Sequence, residues 1–172
     1  MKKILVLVCL LLLSTTALSQ TRSRTTRRGT PSAKTAAPQA NAEAKTAGAT
    51  KVADQIKNLT RFVYLLGGVA KGIEQVDDAA KKNEASPTAL QQNEQNKATV
   101  KTSLENVRLG LDQLEIYFRS TPELQGYYTK LVGSASGAAS AEEQAAAGHF
   151  DQSGRTLLGV VSRLTDVLLV MR

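Results

Sequence analysis

Histidine is the side chain from which a catalytic or metal site would most readily be built, and the sequence contains one, His149. No acidic residue stands three positions before it, so the paired Glu-x-x-His motifs of a di-iron helical bundle are absent. Nucleophilic catalysis would need this one histidine, which lies in a predicted turn, to activate a serine or threonine. Covalent haem attachment would need Cys-x-x-Cys-His, which is missing. We therefore predict no catalytic residue, no metal site and no cofactor.

The carboxylates give no better indication of an enzyme. Glycoside hydrolysis needs two carboxyl groups facing each other across a cleft. Here the acidic residues are spread over what should be helix exteriors, where each is expected to pair with a basic residue one turn away. Glu115 with Arg119 is an example. The sequence thus favours a protein that is not an enzyme.

Four polar residues could form a small cluster. Asp77, Asn93 and Lys97 occupy positions where the helical repeat calls for apolar side chains. If the chain turns near residue 85, Asp77 lies level with Asn93, and Lys97 lies level with Glu74. One interpretation is a polar binding site at one end of a bundle. The other is a hydrated bundle end that fixes the register of the helices at some cost in stability.

A strip of small and aromatic residues follows on the same predicted helix. Tyr64, Gly68 and Gly72 are spaced by four residues, and Leu65 lies beside them, outside the main apolar stripe. Each glycine inside a helix costs about 1 kcal/mol relative to alanine, so a group of them needs a reason. Either another helix of the same bundle approaches closely there, or the helix kinks, or the strip is a contact surface for a partner or for a second copy of the protein.

The elements that must position these residues are helices. Apolar residues recur at alternating intervals of three and four, as on one face of an amphipathic helix. Ser86-Pro87 and Thr121-Pro122 interrupt the pattern, Gly148 should end the third helix, and Asp151 should cap the fourth. The predicted fold is all-α, an antiparallel up-down-up-down four-helix bundle. Its domain covers residues 51–172, with helices at about 52–82, 88–119, 122–147 and 152–171.

The sequence allows two structures for the third helix. We predict one helix, with a kink or break at Gly133–Gly137, a segment of weak helix formers, as the alternative. Its alanines, among them Ala135, Ala138 and Ala145, are small enough to leave space facing the neighbouring helices. Such a space could hold a small apolar ligand or cofactor.

The N-terminal residues resemble a secretory signal. Lys2 and Lys3 precede the apolar run Ile4–Leu13, and Ala17-Leu18-Ser19 places small residues before a cleavage point. The run is shorter than the roughly 20 residues that a spanning helix needs. We predict that residues 1–19 form a cleaved signal peptide, that the mature chain has no transmembrane helix, and that the protein is exported to the periplasm or secreted by a bacterium.

Residues 20–50 carry six basic residues and one acidic residue, with no large apolar side chain. Such a composition predicts a disordered basic linker that adds nothing to stability. The linker is either a spacer or the source of a weak electrostatic contact with an anionic envelope surface. Residues 51–172 carry fourteen basic and fourteen acidic residues, so the overall charge of +7 lies outside the predicted bundle. A nucleic-acid partner is therefore not expected.

Together these features predict an exported, non-catalytic helical bundle that acts through protein–protein contacts in the cell envelope or outside the cell, with a protein partner or as a homo-oligomer. The alternative is a bundle that binds a small apolar ligand or cofactor between its helices.

Overall fold

The computed structural model describes residues 36–172, and the side chains from residue 39 onward. The predicted signal peptide, residues 1–19, and the first part of the predicted linker, residues 20–35, lie outside the described residues. Within the described part the elements are helical. They are α1 (Ala36–Lys81), α2 (Pro87–Ser120), a 3₁₀ turn (Pro122–Leu124), α3 (Gln125–Leu131), α4 (Ser134–Ala146) and α5 (Phe150–Val170).

Four helical segments pack against each other, as the all-α prediction requires. Helix α1 packs against α2 and α5, and α4 packs against the same two helices. The 3₁₀ turn and α3 precede α4 and, with it, form the third segment. The core lies between the segments and consists mainly of leucine, valine and alanine. Its large fully buried side chains include Phe118, Leu59, Ile73, Leu104, Leu111, Leu124, Leu131, Leu157 and Leu164.

The turn between α1 and α2 is built from residues suited to it. Asn83 adopts a left-handed backbone conformation with φ of 57°, which asparagine tolerates better than most residues. The backbone N–H of Glu84 then donates to the carbonyl of Ala79 at 2.9 Å, which closes the end of α1. The Ser86 hydroxyl accepts from the N–H of Ala89 at 3.2 Å and caps α2, whose first residue is Pro87.

The first helix begins at Ala36, so the prediction of a disordered linker is wrong for residues 36–50. Gly48 is buried, and a Cβ built on it would lie 2.9 Å from Leu124 Cδ1 and 3.0 Å from Met171 Cε. Ala49 packs against the same core. The segment has no large apolar side chain of its own, but its small residues let distant leucine and methionine side chains pack directly on its backbone. A prediction of disorder from the composition of the segment alone does not detect that burial.

The third segment is broken, so the prediction of one continuous helix is wrong and the alternative holds. Gly133 has φ of 90°, a left-handed conformation that glycine adopts without steric cost. Neighbouring helices satisfy the backbone groups that the break releases. Arg163 on α5 donates to the carbonyl of Val132 at 3.0 Å. Glu115 on α2 accepts from the N–H of Ala135 at 2.9 Å, instead of pairing with Arg119 as predicted.

Asp151 does not cap α5, contrary to the prediction. The N-cap residue is His149, which makes no side-chain capping hydrogen bond. Helix α5 begins earlier than predicted because Phe150, its first residue, is drawn into the core, where it is 5 % exposed. Asp151 lies in the first turn, where a negative charge interacts favourably with the helix dipole.

Candidate functional site

At one end of the bundle, α1 and α2 continue past the ends of α4 and α5. Helix α4 ends at Ala146 and α5 begins at Phe150, and this turn packs near Val100 and Lys101 on α2. Beyond it, α1 and α2 form a two-helix hairpin without further cover from the bundle. Between residues 74 and 96 only Asn93 is buried. The hairpin end therefore depends on polar contacts more than the rest of the fold does.

The structure joins three of the four residues of the predicted polar cluster. Asp77 Oδ1 on α1 accepts hydrogen bonds from Asn93 Nδ2 at 2.7 Å and from Lys97 Nζ at 2.8 Å, both on α2. Lys97 also contacts Glu94 at 3.1 Å. Glu74, the fourth predicted member, is exposed and does not take part. The cluster holds the two helices in register, which supports the second interpretation of these residues.

Lys97 is held in its charged form. The hydrogen bond with Asp77 is the main reason that the pKa of Lys97 is raised, burial opposes the rise, and the hydrogen bond with Glu94 adds to it. Because the pKa is raised on folding, the stabilisation is fully present below the ordinary lysine pKa and is lost as the pH rises through the raised value. A lysine that acts as a nucleophile or base needs a lowered pKa. Lys97 is thus suited to pairing, not to proton transfer.

A shallow groove of about 550 Å³ lies beside the cluster, between the hairpin and the α4–α5 turn. Its rim carries Asp77, Glu94, Lys97 and Lys101, and Phe150 contributes to its lining. The buried carbonyl oxygen of Asn93 has no hydrogen-bond partner, but Asn93 does not line the groove. Asp77 and Glu94 both pair with Lys97, and Lys101 adds a second positive charge, so the groove presents no single charge to a ligand.

His149 is exposed at the start of α5. Within residues 39–172, no three histidine, cysteine, aspartate or glutamate side chains come together in a way that could hold a metal ion.

The alanines of the third segment do not open a space inside the bundle. Ala138 and Ala141 are fully buried, and Ala135 is 5 % exposed. A Cβ added to Gly137 would lie 2.7 Å from Val160 Cγ2. The small side chains therefore let α4 approach α5 closely. Two surface grooves nevertheless border these alanines. Ala145 lines the shallow groove at the bundle end, and Ala135 lines a groove of about 440 Å³ between α2 and the third segment.

The predicted contact strip on α1, consisting of Tyr64, Leu65, Gly68 and Gly72, is exposed. Tyr64 is 83 % exposed and Leu65 is 54 % exposed. A Cβ built on Gly68 or on Gly72 meets nothing within 4 Å. These glycines are thus not explained by close packing within the bundle, which was one of the two structural interpretations of the strip.

The strip lies almost opposite the buried face of α1. A helix turns about 100° per residue, so the four strip residues fall within a sector of about 100°. The buried residues Leu66, Ala70 and Ile73 are centred roughly 160° away. Val69 is 38 % exposed and adjoins the strip. Its exposure widens the apolar part of this surface.

Comparison of the chain with protein-family models, with curated proteins and with solved structures finds no match in any of the three. Among the helices of residues 36–172, none has both the length and the apolar character needed to cross a membrane.

Proposed function

We propose that the protein is an exported, non-catalytic helical bundle, periplasmic or secreted, that acts through protein–protein contacts, and that the strip on α1 is its contact surface. The proposal takes the up-down-up-down order of the helices as its frame. Asp77 contacts Asn93, whereas Gln55, earlier on α1, lies beside Gly110, later on α2. In the same way Gln144 contacts Thr156, whereas Val132, earlier in the third segment, contacts Arg163, later on α5. Rising numbers on one helix thus meet falling numbers on the next, which supports that order.

The observation that carries the proposal is the exposure of an apolar, glycine-containing helix face that the fold itself does not use. Glycine in a helix interior lowers stability, and Tyr64 and Leu65 leave more than half of their surface exposed in the monomer. Nothing in the packing of the described residues compensates for these costs at Gly68 and Gly72. A partner that covers the strip would compensate, because the glycines allow its backbone to approach closely.

Replacing Gly68 with leucine tests this proposal. Because a Cβ at this position meets open space, Gly68→Leu should keep or raise the melting temperature, with a gain of up to about 1 kcal/mol from helix propensity. The bulky side chain should nevertheless abolish self-association or partner binding through the strip. Thermal unfolding measures the first effect, and sedimentation or co-purification with a defined partner measures the second.

Gly159→Leu is the matched control. Gly159 is an exposed glycine inside α5, and a Cβ there also meets nothing within 4 Å. The control should gain similar stability and keep every association of the parent. If the two variants associate equally well, the strip is not the contact surface. If Gly68→Leu melts clearly lower than the parent, the glycine is needed for packing and the proposal fails.

A further inference from the structure

We infer that the occupant of the α1 strip is a second copy of this chain, bound antiparallel with a two-fold axis near Gly68. This inference rests on the proposed function and adds the identity and direction of the partner. It is argued from the pattern of small, aromatic and charged residues along the exposed face of α1.

The strip is complementary to itself. Gly68 lies midway between Tyr64 and Gly72. When two copies of the strip cross antiparallel at Gly68, Tyr64 of each copy faces Gly72 of the other. The exposed ring then covers a position with no side chain, and the helices can approach closely at the crossing point. A symmetric dimer uses the same surface on both subunits, so it needs this kind of self-complementarity.

Charged residues stand at the two ends of the same face. In the antiparallel arrangement, Asp54 of one copy faces Lys82 of the other. Lys57 faces Ala79, so that Asp78 is the next residue along the facing helix. Lys57 and Asp78 each already contact an oppositely charged residue three positions away, at 3.2 and 2.9 Å, but these pairs remain largely exposed. Each carboxylate can accept from a second cation, so the contacts between copies add to those within each helix.

A parallel pairing in register would place like charges together. Lys57, Arg61 and Lys71, all exposed, would each face the same residue of the other copy. Like charges brought together across an interface oppose association. The charge pattern therefore favours the antiparallel arrangement over the parallel one and supplies a reason for the direction of the pair.

Disulfide cross-linking of the full chain tests both the partner and the direction. In a Cys9→Ser background, Asp54→Cys and Lys82→Cys would be prepared as separate variants. Asp54 lies on α1 and Lys82 is the residue that follows its last turn, so the two positions are 28 residues and about 42 Å apart and cannot be joined within one molecule. Under mild oxidation, an equimolar mixture should form a mixed dimer, identified by mass, and neither variant alone should do so.

Two controls define the result. Adding Gly68→Leu to both variants should suppress the mixed dimer, and in sedimentation equilibrium it should raise the dimer dissociation constant by about tenfold or more. Pairing Asp54→Cys with Gln113→Cys, an exposed site on α2, should give only the background of random collision.

Three outcomes would overturn the inference. A chain that stays monomeric in sedimentation shows that the occupant is not a second copy, while the glycine variants still test the contact proposal with other proteins. Cross-linking of each variant with itself shows a parallel dimer, which contradicts the direction but keeps the strip as the surface. Self-association that Gly68→Leu and Gly159→Leu leave equally intact removes the strip from the interface, and both proposals fail.

Discussion

Asn93 lowers the stability of the hairpin but helps to fix the register of α1 against α2. Its amide nitrogen donates to Asp77, yet its carbonyl oxygen is buried without a partner. A buried polar atom without a hydrogen bond costs about 1–3 kcal/mol. A leucine in the same seam would avoid that cost, but it would not specify which residue of α1 lies opposite. The polar cluster therefore serves register more than stability.

This view predicts opposite effects for two substitutions. Asn93→Leu should raise the free energy of unfolding by about 1 kcal/mol, because it removes the unpaired carbonyl while Asp77 keeps its bond to Lys97. Asp77→Ala should lower it by about 1–3 kcal/mol, because the buried amide of Asn93 then loses its partner. Urea unfolding of both variants and the parent measures the difference. Equal losses in the two variants would contradict the account.

At the scale of the helices, the break between α3 and α4 shows where local sequence stops being informative. The segment contains weak helix formers, so its sequence is compatible with a break as well as with the one continuous helix that we predicted. Side chains on α2 and α5, Glu115 and Arg163, decide the matter by bonding to the released backbone groups. Such contacts depend on the packed fold and leave no signal in the segment itself.

Alanine substitutions at two glycines with positive φ, one of them at this break, measure how much each left-handed backbone conformation contributes to stability. Gly148→Ala, at φ of 83° with open space around the Cβ, should lose about 1 kcal/mol from backbone conformation alone. Gly133→Ala, at φ of 90°, should lose more, because its Cβ would lie 2.5 Å from Arg163 Nη1 and displace the bond to Val132. Chemical unfolding of the pair tests this order. A smaller loss at Gly133 would mean that Arg163 moves aside freely.

The helix boundaries and the exposed strip were readable from the sequence to different degrees. The apolar repeat and the pair Ser86-Pro87 predicted α2 to within a residue at each end. The repeat also placed Tyr64, Gly68 and Gly72 outside the core stripe. It could not decide whether another helix of the bundle covered them, because that depends on where the other helices pack around α1.

At the scale of the whole molecule, the early part of α1 closes the end of the bundle that is farthest from the hairpin. Gly48 lies against Leu124 and Met171, and Lys45 donates to the carbonyl of Arg172 at 2.9 Å. These contacts join the start of α1 to the 3₁₀ turn and to the end of α5. Removing them would expose side chains that are otherwise buried.

A chain that begins at Lys51 should therefore melt below the full chain, contrary to what the composition of residues 20–50 predicts. We expect a decrease of roughly 3–10 °C, because Leu124 and Met171 become exposed. Calorimetry of the two chains provides the measurement. Lys45→Ala in the full chain is the control and should change little, since an exposed hydrogen bond contributes little. Equal melting of the two chains would show that the docked segment adds no stability.

The hydrogen bond between Lys45 and Arg172 also indicates how the fold would respond to mechanical load. Residues at the start of α1 and at the end of α5 lie at the same end of the bundle. Tension applied between them would peel the two helices apart turn by turn, starting from this contact, instead of sliding one along the other. Each turn would yield separately, so the resisting force would stay low. The hairpin, at the opposite end, would carry none of the tension until α1 had separated from α5.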